Sequence, residues 1–117
     1  MELEQVIRQI YRVPVEKEDK VTVAIDGNNY DVVNLGSHGI GIRLPNPPSF
    51  SVDARNHEIR LGIGGKILLL TGKIVHVTPY GADSHLCGIK LVDMGKETEQ
   101  LLLDCVYRLR AKLFHQG

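Results

Sequence analysis

From Val21 to Val92 the sequence repeats one pattern, a short run in which apolar and polar residues alternate, closed by a cluster of Gly, Asn, Asp or Pro. Alternation with period two puts every second side chain on one face, as in a strand half buried against a core. Lys20 to Ile25 places Val21, Val23 and Ile25 together, and Asp26-Gly27-Asn28-Asn29 is a turn signal that returns the chain into Tyr30 to Leu35. Gly39 to Leu44 alternates through Ile40, Ile42 and Leu44, after which Pro45-Asn46-Pro47-Pro48 excludes regular structure. Phe50 to Val52 predicts a short strand before the turn cluster Asp53 to Asn56. Glu58 to Ile63 alternates again, and Gly64-Gly65 predicts a two-residue hairpin into Lys66 to Val77, a run long enough for Gly72 to mark a bulge or bend. Pro79 to Ser84 is a turn, and His85 to Val92 is the last strand, with Cys87, Ile89 and Leu91 on one side.

At Glu97 the period changes. Leu101, Leu102, Cys105, Val106, Leu109 and Leu113 form one helical stripe, with Glu97 and Glu99 near its start and Arg108, Arg110 and Lys112 near its end, as the helix dipole favours. At the other terminus Leu3, Val6, Ile7 and Ile10 share one face of a short helix that ends near Tyr11. Pro14 disfavours a helical Val13, so Arg12 to Val15 is expected to run extended. The predicted fold is therefore mainly β, about six antiparallel strands in a small barrel or curled sheet closed by a C-terminal helix. The expected layout is one domain over 1–117, with an N-terminal segment at 1–16, the barrel at 20–92 and the helix at 96–114.

At 117 residues, with 43% hydrophobic and 24% charged, the chain suits one core and contains no run near the roughly 18 apolar residues of a membrane helix. The acidic start Met1-Glu2-Leu3-Glu4 is unlike a signal peptide, so the expected location is cytoplasmic, without membrane insertion. Fourteen basic residues balance fourteen acidic ones, which argues against DNA or RNA as partner. Cys87 and Cys105 lack metal-ligand spacing and read as buried, reduced thiols.

No catalytic constellation emerges. Gly62-Ile63-Gly64-Gly65-Lys66 is followed by Ile67 and a strand, where a phosphate loop needs Ser or Thr and a helix. The histidines are scattered without metal-ligand pairing, and the serines lack a nucleophile elbow. The chain is accordingly read as a non-enzyme with neither metal nor cofactor. Two features remain. Asn34-Leu35-Gly36-Ser37-His38-Gly39-Ile40-Gly41-Ile42 reads as strand, glycine turn and strand, where positive φ and close approach to the main chain are available; His38 lies inside that turn. Arg8 and Arg12, four apart, face one side in either a helix or a strand. A flat guanidinium stacks on a purine and donates paired hydrogen bonds to phosphate or to guanine. Arginines closing on Asn34 would suit a guanine nucleotide with more than one base.

Arg8-xxx-Arg12 followed by Val13-Pro14-Val15, then Asn34-xxxx-Gly39-Ile40-Gly41-Ile42, then a barrel and a terminal helix, resembles the PilZ domain from Arg8 to about Leu113. That resemblance implies a six-stranded antiparallel barrel, an RxxxR motif at Arg8 and Arg12, a (D/N)xSxxG motif from Asn34 to Gly39, and cyclic di-GMP as the ligand. It implies that Arg8 and Arg12 clamp phosphate and guanine, that Asn34 reads a guanine edge, and that Gly36, Ser37 and Gly39 complete the turn. One position departs from the pattern. Gly36 stands where the family has serine, and the hydroxyl comes one residue later, at Ser37, where a strand presents the opposite face unless the turn is bulged. The resemblance further implies a bacterial receptor that orders Ile7 to Glu16 on binding and signals through a protein partner, in motility regulation for example; it admits a homodimer. The alternative is a PilZ-like adaptor that has given up the nucleotide and acts by protein contacts alone.

Overall fold

The computed structural model describes residues 12–115; the expected helix over Leu3 to Ile10, and Arg8 with it, lies outside the described residues. Among the described residues, seven strands and one α-helix follow in order: β1 Arg12–Pro14, β2 Thr22–Ile25, β3 Asn28–Gly36, β4 Gly39–Pro45, β5 His57–Ile63, β6 Lys66–Pro79, β7 Ser84–Val92 and α1 Lys96–His115. All pairings are antiparallel. The order β3-β2-β5-β6-β7-β4 closes on itself through β3–β4, giving a six-stranded barrel. β1 takes the edge of β3 that β2 leaves free, pairing Arg12 with Gly36 and Pro14 with Asn34, while β2 pairs with Asn28 to Tyr30.

The hairpins follow their turn chemistry. Asp26 and Gly27 have φ of 51° and 89°, and Gly64 and Gly65 have 59° and 78°, which is the pair of left-handed residues that a two-residue hairpin requires. The first turn is thus shorter than the sequence suggested, with Asn28 and Asn29 already in β3. β2 also begins late, because Lys20 is left-handed at the end of a 3-10 turn over Lys17–Asp19.

Two other expectations fail. Phe50 to Val52 forms no strand; Phe50 is held instead by its ring, 5.5 Å from Tyr30 and edge-on to His57 at 5.4 Å. Gly72 is not a bulge either. It pairs in register with His57 and Leu91, and a Cβ there would lie 2.6 Å from Ile89 and 2.7 Å from Ile59, so its role is to admit two core side chains. The break in β6 comes between Ile74 and His76. A second break, between Val32 and Asn34, interrupts the β3–β4 pairing.

Inward residues of every barrel strand form one core, including Ile25, Leu35, Ile40, Ile42, Leu61, Ile74 and Ile89. α1 closes it with Leu102, Cys105 and Val106, all buried, as the stripe predicts. Burying an aliphatic side chain of this size contributes about 1.5–3 kcal/mol, so Leu102 and Val106 anchor the helix on their own scale. Cys87 and Cys105 are both free and buried.

Candidate functional site

Pairing brings the two sequence motifs together on the outside of the barrel. β1 is extended because Pro14 forbids a helical Val13, and its register sets Arg12 beside Gly36. With Val13 buried in the core, Arg12 points outward and donates from Nη1 to Asn34 Oδ1 over 3.3 Å. Half-burial draws the Arg12 guanidinium down from its usual value through desolvation, from a start so high that it stays charged.

The glycines of the turn act through space rather than through φ. Neither Gly36, Gly39 nor Gly41 has positive φ, which corrects the expectation of a left-handed glycine corner. A Cβ on Gly39 would collide with the Arg12 guanidinium, and one on Gly41 would lie 2.5 Å from Asn34 Oδ1. Arg12 and Asn34 therefore lie flat on a floor of two glycines. The break at Val33 sets the direction of Asn34: Leu35 points into the core and Asn34 out, and past the extra residue Val32 and Tyr30 pack on the core while Asp31 is exposed.

Ser37 and His38 make the bend between β3 and β4. Ser37 is 3% exposed, and its Oγ lies 2.9 Å from His38 Nδ1. His38 Nε2 is 3.4 Å from Glu99 Oε1 on α1, and the His38 carbonyl accepts from the Leu91 N–H. The Ser37 hydroxyl thus tethers the turn to the helix.

Five further residues on the outside of the barrel escaped sequence reasoning, because only strand register reveals them. Lys90 is opposite Gly39 and Lys73 opposite Lys90. Gly88 is opposite Gly41, and a Cβ on Gly88 would collide with the His76 ring, so His76 lies over Gly88 as Asn34 lies over Gly41. His76 Nδ1 is buried without a hydrogen-bond partner. Arg43, opposite Asp31, stacks 5.6 Å over the Tyr80 ring. Register thus lines Lys73 and Lys90 up beside Gly39, over which Arg12 lies, while Arg43 sits further along β4 with the exposed Asp31 opposite it. Two depressions lie beside this face, one of about 850 Å³ lined by Arg43 and Tyr80 and one of about 810 Å³ running from there to Pro14.

A profile of the PilZ domain matches residues 7–108. The chain belongs to the PilZ family. Among solved structures, the PilZ domain of YcgR from Escherichia coli with c-di-GMP is similar at 9% identity and TM-score 0.70, covering 91% of this chain and 93% of that one. PlzA of Borreliella burgdorferi, in complex with c-di-GMP, is similar at 8% identity and TM-score 0.66 over 99% of this chain and 57% of PlzA. The Bacillus subtilis inhibitor of motility MotI/DgrA is similar at 16% identity and TM-score 0.66 over 91% of this chain and 53% of that protein. These likenesses establish the PilZ fold, and the six-stranded barrel with its C-terminal helix is that fold. No curated protein sequence matches the chain. Among the described residues, no cluster of His, Cys, Asp or Glu is arranged to hold a metal ion, and no helix is long and apolar enough to cross a membrane.

Proposed function

We propose that this PilZ chain is a receptor for cyclic di-GMP that works without catalysis and passes its signal on through protein contacts. The observation that carries the reading is the meeting of Arg12 and Asn34 over Gly39 and Gly41. Arg12 offers a charged fork for a phosphate or for the O6/N7 edge of guanine. The Asn34 carboxamide, one donor and one acceptor group, complements a guanine edge. Gly36, Ser37 and Gly39 supply main chain close to the ligand, and Arg8, four residues before Arg12, supplies the second guanidinium. In this reading binding orders the segment from Ile7 to Glu16 and changes the surface offered to a partner. PilZ structures that hold c-di-GMP support the ligand, and the likeness to an inhibitor of motility supports a regulatory role.

A second reading, a PilZ adaptor without the nucleotide, is favoured by one observation. Gly36 lacks the family hydroxyl, and the buried Ser37 hydroxyl is engaged with His38. One absent hydrogen bond is worth about 0.5–1.5 kcal/mol, a weakening rather than a loss, so the receptor reading is preferred. Isothermal titration calorimetry with cyclic di-GMP decides between them. Saturable binding that disappears in an Arg8→Ala/Arg12→Ala variant supports the receptor; absence of heat from the wild-type protein at high ligand concentration overturns it in favour of the adaptor.

A further inference from the structure

The first residues of β6 run beyond the end of β7. β6 pairs with β7 only from Thr71, opposite Val92, whereas Lys66 to Leu70 pair on their other side with Ile63 to Ile59 of β5. Among the described residues no strand occupies the free side of Lys66 to Leu70, and α1 packs against β1 and β3 instead. Leu68 and Leu70 turn into the core, while Ile67 and Leu69 turn outward, 67% and 71% exposed, the two most exposed large aliphatics described.

Hydrogen-bond geometry fixes which groups this edge presents. In a two-residue hairpin the flanking pair, here Ile63 and Lys66, exchanges hydrogen bonds, and bonded and non-bonded pairs then alternate along the ladder. Lys66, Leu68 and Leu70 are committed to β5. The N–H and C=O groups of Ile67 and Leu69 face the open side. Edges are ordinarily blunted by charge or proline; between Ile67 and Leu70 this one carries neither.

We propose that this edge pairs with the same edge of a second copy, antiparallel about a two-fold axis through Leu68. In that register Ile67 faces the partner's Leu69 and Leu69 faces the partner's Ile67, so the residues whose backbone groups point outward are those that meet. Each such pair exchanges two bonds, about four across the axis. Their side chains form an aliphatic quartet on one face, in which each covers the flank of its neighbour from water. One strand back, Gly62 stands beside Ile67 and Arg60 beside Leu69, so glycine leaves room for the partner's side chains. The two Arg60 residues fall at opposite corners, separated by three strand spacings of about 4.8 Å each, beyond the screening length of about 8 Å at physiological salt. A foreign strand would have to bring a matching apolar pair, which a second copy already carries. The contact is isologous and closes at two. It uses none of the residues of the ligand face, so it stands apart from the cyclic di-GMP reading.

The test is the mass of the full chain by sedimentation equilibrium over a range of micromolar concentrations, with Ile67→Lys/Leu69→Lys as the variant. The expected result is twice the 13.0 kDa chain mass for the wild type, and a monomer with an unchanged circular dichroism melt for the variant. Register is read independently by mild oxidation of Ile67→Cys/Leu69→Cys, because facing residues lie within disulfide reach: the double variant cross-links into dimers, and Ile67→Cys alone does not. A wild type that is monomeric throughout, a dimer that survives the lysines, or a single cysteine that cross-links as readily as the pair overturns the proposal.

Discussion

Gly41→Ala is the substitution that separates folding from binding most sharply. In a strand, replacing Gly by Ala favours folding by about 0.5–1 kcal/mol through the backbone. Against this, the new Cβ would sit 2.5 Å from Asn34 Oδ1 and 2.9 Å from its Cγ and Nδ2, so the carboxamide must leave its place. Because Asn34 is only half-buried, it swings toward solvent, and folding loses the Arg12–Asn34 hydrogen bond, about 0.5–1.5 kcal/mol. The two effects nearly cancel, and urea denaturation is expected to find stability within about 1 kcal/mol of wild type. Binding has no such compensation. In the proposed cyclic di-GMP receptor, losing an Asn34 contact to the ligand and misplacing a charged Arg12 contact would remove about 1 and about 1.5 kcal/mol respectively. At 1.4 kcal/mol per tenfold, calorimetry is expected to show a Kd raised about 60-fold. The mechanism is checked on an Asn34→Ala background, where no carboxamide is left to displace and Gly41→Ala adds nothing, a fully non-additive cycle. Additive losses, wild-type affinity in Gly41→Ala, or a stability loss above about 2 kcal/mol would refute the reasoning.

Three other outcomes follow from particular contacts. Gly72→Ala overpacks the core against Ile89 and Ile59 and is expected to cost about 1–3 kcal/mol, read as a lower urea midpoint at unchanged slope. His57, 2% exposed, holds Asp26 Oδ2 at 3.0 Å from Nδ1, and that hydrogen bond keeps the Asp26 carboxyl below its ordinary value. A depressed carboxylate stabilises above its unfolded value near 3.8 and loses that contribution as pH falls through the folded value; the melting-temperature gap between wild type and Asp26→Asn is therefore expected to narrow as pH drops from about 5 toward acid, and a gap independent of pH would count against the contact. Burial pushes the Cys87 thiol up to about 11, so in a Cys105→Ala background a thiol reagent at mildly alkaline pH is expected to react only as fast as the protein unfolds.

What the sequence disclosed was whatever is encoded within one strand or one turn. Asp26-Gly27 and Gly64-Gly65 announce hairpins because the turn itself demands their left-handed backbone. Pro14 announces β1, and the leucine stripe announces α1. What escaped belongs to pairs of strands. The breaks at Val33 and Val75 exist only relative to β4 and β7, so no periodicity within β3 or β6 shows them. Gly39 and Gly41 read as flexible corners and Gly88 passed without remark, yet each is there because a side chain from another strand lies over it. His76, Lys73 and Lys90 carry no motif and join the face through register alone. Phe50 has the composition of a strand and is instead fixed by two ring contacts.

The break at Val33 makes the outer face depend on counting. Between Asp31 and Val33, one residue more reverses which of Tyr30 and Asp31 meets the core unless a second bulge takes it up, while one residue fewer is absorbed by loss of the bulge. Substitutions in this stretch are graded events, each costing one contact. A single insertion between Asp31 and Val32 is not graded: unless a second bulge absorbs it, it sends an aspartate inward and a tyrosine outward while Asn34 stays put. The outer face here thus depends on how many residues separate turn from motif, a quantity that belongs to no single side chain.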